Sequence, residues 1–404
     1  MAQPAGATPD LGRPQSQARA WFEPLLVVTI MVTSLIVNRD RKFSLFSNRN
    51  EPVNEALMKS EDIDDSSRGS SRSASPNGPK NSLDLQRSIS GSGIEVSRMN
   101  FPSRILQKFP FLVEMFYWAL NFIAYSMTKK IGAALYSRYG GDAVTQLAQD
   151  HGIAILNFEH NSPASIFFPV SEVEFQQFLL TKHLSIMTIF NQIYSLVHIP
   201  GTVAYLSWYY YKAPSYDAFA VARRTMTLGN FSAFFIFSFY PCMPPRLLPE
   251  SFGFKDTVRQ EHAESVWVGG SNVNQLAAMP SLHFTYAFTI GCTFLYTSGL
   301  LQSWRGRRSG RSPVFSFVYV VAGIFYPLLV LSVIVATANH YYLDAVVATF
   351  SVAMSFLCNR IWLFLLPVEA FLLRMLRLRK PRPSTRRIKA ERPSAATSSS
   401  LEVA

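Results

Sequence analysis

The sequence predicts an all-α, polytopic membrane protein, and three observations carry that reading. Of its 404 residues, 49% are hydrophobic and only 16% are charged, where a soluble domain runs about 25% charged. Aromatic residues reach 14%, with 32 Phe and 17 Tyr, the usage expected where helices meet lipid and its interfaces. The apolar residues are also bunched into runs close to the length of about 20 that crosses a bilayer core.

Six such runs lie near 111–127, 184–210, 225–242, 284–300, 314–336 and 342–366. A shorter run, 22–37, is followed at once by Arg39, Asp40, Arg41 and Lys42, with no small-residue cleavage site after it. An N-terminal anchor helix is therefore expected in preference to a signal sequence. The chain divides into an N-terminus with that anchor (1–37), a Ser-rich cytoplasmic linker (38–104), a six-helix transmembrane domain (105–366) and a basic cytoplasmic tail (367–404). From Asp65 to Gly93 the linker is dense in Ser, Gly, Pro and charge, and such composition buries too little apolar surface to fold. The Ser-rich end of the tail reads the same way. Cys242, Cys292 and Cys358 show no paired spacing, which excludes a disulfide framework and a Cys-rich zinc site.

Charge asymmetry orients the spans. The loop 301–313 carries Arg305, Arg307, Arg308 and Arg311 without an acid, and the tail from Arg374 holds nine Lys or Arg against Glu391 and Glu402. Positive loops stay cytoplasmic, and two helices separate these two segments, so both lie inside. The turn Thr337–Tyr341 and the loop 243–281 then lie outside, and Arg223-Arg224 lies inside. Lys129-Lys130 falls outside by this count, opening a long loop where the rule is weaker. The tail's basic run, directly after a membrane helix and without interleaved aromatics, points to anionic lipid headgroups and not to nucleic acid.

Ionisable residues at membrane depth are costly and need a reason. His283 lies in Met279-Pro280-Ser281-Leu282-His283-Phe284, where Pro and Ser begin a helix. His340 lies in Thr337-Ala338-Asn339-His340-Tyr341-Tyr342-Leu343-Asp344, and the i, i+4 spacing of His340 and Asp344 predicts one face of a helix. A carboxylate there holds one imidazole nitrogen protonated and leaves the other as nucleophile or base. Pro241-Cys242-Met243-Pro244-Pro245-Arg246 leaves its helix on the same outer side. Two His, an orienting Asp and an Arg, whose donors match phosphate oxygens, make a site for transferring a phosphoryl group from a lipid.

Pro-Ser-Leu-His283 and His340-x3-Asp344 resemble the second and third motifs of the type-2 phosphatidic acid phosphatase superfamily. Pro244-Pro245-Arg246-Leu247-Leu248-Pro249, Gly253-Phe254-Lys255-Asp256-Thr257, and Asn191-Gln192-Ile193-Tyr194 followed by His198 resemble its inositolphosphotransferase branch, the aureobasidin-resistance type of inositol phosphorylceramide synthase. The resemblance covers about 110–366 and implies a six-helix phosphatase-type core. It implies His340 as the nucleophile that forms a phosphohistidine, Asp344 as its orienter and His283 as general acid. No metal and no cofactor are implied. The Lys that usually precedes the first-motif Arg and the Arg that usually precedes the third-motif His are missing, and Leu282 stands where Gly is frequent. Arg246 is therefore the first candidate for binding phosphate, with Lys255 and Arg259 in reserve.

Three functions follow from this reading. The first is transfer of a phosphoinositol-type headgroup from phosphatidylinositol or another lipid phosphate to a lipid acceptor such as ceramide, in an endomembrane such as Golgi or ER, on the lumenal or exterior side. The second uses water as acceptor and makes a lipid phosphate phosphatase. The third, a non-catalytic lipid transporter or binding protein, ranks last, because the polar groups cluster at one surface. Asp256 reads as a loop-structuring carboxylate and His198 as a helix–helix hydrogen-bonder. Glu159 and His160 lie in the outer loop, where solvation is the first reading and a contribution to the site the second, and His151, His183 and His262 carry no signal.

Overall fold

The computed structural model describes residues 22–40, 43, 45–46, 100–136, 141–257, 276–300 and 312–381. Arg259, most of the Ser-rich linker, the Arg-rich loop 301–311 and the tail beyond 381 lie outside the described residues. Among those described, the secondary structure is helical, apart from one isolated bridge between Cys242 and Ala277. In chain order the helices are α1 (Phe22–Val37), α2 (Phe101–Lys108), α3 (Phe111–Tyr136), α4 (Gly141–Asn161), α5 (Glu172–Lys182), α6 (Leu184–Gln192), α7 (His198–Lys212), α8 (Tyr216–Phe239), α9 (Leu282–Ser298), α10 (Pro313–Ala336), α11 (Tyr342–Cys358) and α12 (Leu366–Met375).

Local chemistry starts and stops these elements. Ser215 accepts the Ala218 N–H at 3.1 Å ahead of α8, and Ser281 accepts the Phe284 N–H at 3.2 Å ahead of α9, each satisfying a donor that the helix start leaves open. Gly299 ends α9 at φ +79°, a left-handed conformation that glycine adopts freely. Pro313 stands at the first position of α10, where its missing N–H costs nothing. The expected run 184–210 is interrupted by a π-helical stretch, Ile193–Val197, between α6 and α7.

Among the described residues, two helical runs are long and apolar enough to cross a membrane, Pro313–Ala336 and Tyr342–Met375. Phe315, Phe317 and Phe325 on α10 and Phe350 and Leu357 on α11 are each more than half exposed. Apolar surface on that scale suits lipid, not water, and these helices fit a membrane protein. The helices that carry the other expected spans run on into charged residues or are shorter. α3 continues past 127 through Lys129 and Lys130, α8 begins ahead of 225 with Asp217, Arg223 and Arg224, and α9 has 17 residues. The anchor expected at 22–37 is a short apolar helix.

The chain forms two units. The larger takes in 115–365 among its described residues, and its core is α9 against α10, with α8 and α11 alongside. A Cβ added at Gly291 would lie 2.6 Å from the Gly323 carbonyl, and one added at Gly323 would lie 2.9 Å from the Gly291 carbonyl. Small residues here let the two backbones meet, as in membrane helix pairs. Buried hydroxyls on α9 are satisfied within the helix, Thr285 donating to the Ser281 carbonyl and Thr289 to the Thr285 carbonyl at 2.8 Å each. The smaller unit joins residues on both sides of the expected transmembrane domain. Lys108 Nζ donates to the Phe43 carbonyl at 2.5 Å, and Ser103 Oγ accepts the Arg379 N–H at 3.2 Å and donates to the Arg377 carbonyl at 3.3 Å.

Candidate active site

Three irregular segments of the larger unit are stitched together by backbone hydrogen bonds. Cys242 N–H donates to the Leu276 carbonyl at 2.9 Å, Ala278 N–H returns to the Cys242 carbonyl at 3.1 Å, and Arg246 N–H donates to the Ala338 carbonyl at 2.8 Å. Tyr341, fully buried, donates its hydroxyl to the Met243 carbonyl at 2.8 Å. Around them pack Ala148 and Ile155 of α4, with Leu248, Phe254 and Met279. Ala338 sits at φ +52°, a strained value for a residue with a Cβ. Its neighbours hold it there, with Asn339 and His340 both donating N–H to the Ile334 carbonyl at 3.1 and 3.2 Å.

His340 is buried on this turn. Its Nδ1 lies 2.8 Å from the Ala278 carbonyl and 3.2 Å from Asp344 Oδ2. Both partners are acceptors, so Nδ1 carries the proton and Nε2 keeps the lone pair. The expected helical face is corrected in one respect. α11 begins at Tyr342, so His340 precedes the helix instead of lying on it. Asp344, in the first turn, reaches back and accepts the Tyr341 N–H at 3.0 Å as well as the imidazole. The contact forms because a helix start offers unpaired N–H groups that draw a carboxylate toward it.

His283 occupies the first turn of α9, with its ring centre 5.8 Å from that of His340. Tyr194, in the π-helical stretch, stacks on it at 4.3 Å. Such stretches recur at functional sites because they re-aim side chains from a helix. Asn191, on α6 just ahead of that stretch, is tied to the Arg246 loop, the Thr257 hydroxyl donating to Asn191 Oδ1 at 2.9 Å.

Arg246 belongs to the same constellation. Its Nε donates to Asn339 Oδ1 at 2.9 Å, next to His340, and one terminal nitrogen pairs with Asp256 at 2.9 Å. Asp256 thus orients the guanidinium besides structuring its loop. Lys255 is brought near by its backbone, since Gln176 Oε1 accepts its N–H and Gln176 Nε2 donates to its carbonyl at 2.9 Å each, while its own side chain is exposed. Arg259 lies outside the described residues.

The structure also brings in residues that the sequence reading passed over. Glu159 is fully buried, contrary to the expectation of a solvated loop, because its carboxylate accepts the Leu343 N–H at the start of α11. His160 pairs with Glu172 at 2.6 Å. Gln176 has no motif to mark it, Asn339 stands beside His340 in its motif without a role assigned to it, and Glu172, following Ser171 at a helix start, carries only a local signal. His151 bonds the Pro241 carbonyl at 2.7 Å and stacks on Tyr240, so it supports the loop that leads to Arg246.

Comparison with curated proteins and with solved structures returned no match. Residues 161–358 match the family model described as the PAP2 superfamily, and that span holds Arg246, Asp256, His283, His340 and Asp344.

Proposed function

We propose that this protein is an integral-membrane phosphotransferase acting on lipid headgroups through a phosphohistidine at His340, with its site on the outer face of a multi-pass domain. The observation that carries the reading is the His340 imidazole, whose Nδ1 proton is held by the Ala278 carbonyl and Asp344 so that Nε2 is the nucleophilic nitrogen. The PAP2 match supports lipid-phosphate chemistry of the phosphatase type.

In the first step Nε2 attacks phosphorus, the bond from phosphorus to the lipid oxygen breaks, and His283 gives its proton to the departing alkoxide. Arg246, held by Asp256 and Asn339, neutralises the phosphoryl oxygens, and Asp344 stabilises the positive charge on the His340 ring. In the second step an acceptor hydroxyl attacks phosphorus, His283 takes its proton, and the phosphorus–nitrogen bond breaks. With phosphatidylinositol as donor and ceramide as acceptor, the products are diacylglycerol and inositol phosphorylceramide. The motifs around Arg246, Asp256 and Asn191 favour this transferase branch over water as acceptor.

The test is purified full-length protein in detergent with phosphatidylinositol labelled in the headgroup, with and without ceramide. The expected product is ceramide-dependent inositol phosphorylceramide, with acid-labile label on the protein that His340→Ala abolishes. Free inositol phosphate, formed equally with and without ceramide, would assign the phosphatase reaction instead. Full turnover by a well-folded His340→Ala would remove the phosphohistidine reading.

A further inference from the structure

Behind the His340 turn, the N-terminus of α11 is received by three carboxylates from three helices. Tyr341 N–H donates to Asp344 of α11 at 3.0 Å, Tyr342 N–H to Glu172 Oε1 of α5 at 3.4 Å, and Leu343 N–H to Glu159 Oε1 of α4 at 2.5 Å. Glu159 and Glu172 are both fully buried, and they and the imidazole of His160 offer one atom each within 4.8 Å of the others. His160 Nε2 lies 2.6 Å from Glu172 Oε2, whereas Glu159 Oε2 is buried without a donor among the described residues. Two buried carboxylates this close resist joint ionisation, and Glu159, whose Oε2 lacks a donor among those residues, is the one that keeps its proton.

We propose that Glu159 and Glu172, with His160 held against the Glu172 carboxylate, are positioning residues for His340. They fix the first turn of α11, and through Tyr341 and Asp344 the aim of the imidazole. This rests on His340 being the nucleophile. Both carboxylates are engaged with backbone amides behind the turn, which leaves them no direct chemical step. A cation is the less apt occupant, since the His160–Glu172 contact is already a hydrogen bond and the helix start is electropositive.

Burial raises the Glu159 acid to about 10, with the Glu172 carboxylate adding to the effect. The other titratable groups facing the pair are Asp344 and Tyr342 of α11, Tyr341 of the turn, Cys242 of the adjoining loop and His160. Asp344 pushes in the same direction as Glu172. Because the folded acid holds its proton where the unfolded one, near 4.5, has lost it, its contribution to stability is greatest at low pH and declines as pH rises toward 10, and alignment is lost only as pH rises through about 10.

The experiment compares wild type, Glu159→Ala, Glu159→Gln and His340→Ala from pH 6 to about 11.5 for kcat, KM and thermal midpoint. Glu159→Ala is expected to lose kcat about tenfold or more with KM changed less than about threefold, as for an interaction that serves the transition state. Glu159→Gln, a neutral isostere of the protonated acid, is expected to rescue most of that loss and to move the alkaline limb of kcat upward by a pH unit or more. An alkaline limb unchanged in Glu159→Gln would overturn the proposal, and this readout stands even if Glu159→Ala does not fold. A rate that responds to chelator or to added zinc in wild type but not in Glu159→Gln would overturn it too, and would make the cluster a metal site. Turnover retained in His340→Ala would refute the nucleophile assignment, a failure separate from the pH profile of Glu159→Gln.

Discussion

Replacing Asp344 by Asn removes a carboxylate that accepts from His340 Nδ1 at 3.2 Å and from Tyr341 N–H at 3.0 Å. A hydrogen bond to a charged group is worth about 1.5–3 kcal/mol, and each ~1.4 kcal/mol is tenfold in rate. The loss in kcat should therefore be about 10- to 150-fold. In a Ser-His-Asp triad the same change costs about 10,000-fold because the imidazole adopts the wrong tautomer. Here the Ala278 carbonyl, at 2.8 Å from the same nitrogen, continues to hold the Nδ1 proton, so the penalty is limited to the lost charge. The assay is initial-rate turnover of phosphatidylinositol in mixed micelles, with thermal midpoint recorded in the same detergent to show that the fold survives. A rate within about twofold of wild type would show that Asp344 does not orient the nucleophile, given the size of a charged hydrogen bond. A loss as deep as that of His340→Ala would show that Ala278 does not hold the tautomer.

His283→Ala should slow release of a lipid alcohol far more than release of a nitrophenol from an activated phosphate ester, since a good leaving group needs no general acid; equal losses on both would remove His283 from that role. Gly152→Ala should lower the thermal midpoint and kcat together, because its Cβ would lie 2.5 Å from the Tyr341 hydroxyl and 2.9 Å from the Met243 carbonyl. Overpacking of that kind costs about 1–3 kcal/mol, and a variant as stable and active as wild type would contradict the packing behind His340. Removing 47–99 and the tail beyond 381 should leave turnover in detergent intact, because both segments lie apart from the motifs in sequence; a well-inserted but inactive protein would refute this. Single cysteines at Ser271 and Ser309, in a background without Cys242, Cys292 and Cys358, should react with an impermeant thiol reagent from opposite sides, Ser271 from the outer one. Labelling from one side would mean a miscounted span.

The sequence by itself determined the helical class and the apolar runs at 314–336 and 342–366, and it singled out His283, His340 and Asp344 together. These were legible because hydropathy over about 20 residues and short motifs such as His340-x3-Asp344 are local properties of the chain. Even the Arg246 candidate came from a local Pro-rich pattern. What only tertiary structure decided is what those side chains meet. The second acceptor for His340 is a backbone carbonyl 62 residues away, at Ala278, and no composition or spacing can mark a carbonyl that every residue carries. The partner of Arg246 at Asp256 was nearby in sequence, but its other partner, Asn339, is 93 residues distant. In sequence Glu159 looks like a solvated loop acid, because its chain neighbours Asn157, His160 and Asn161 are polar. Its burial follows from the approach of α4 and α5 to the start of α11, where unpaired amides need acceptors. Long-range convergence of helix ends, and not any single segment, turned three scattered polar motifs into one site.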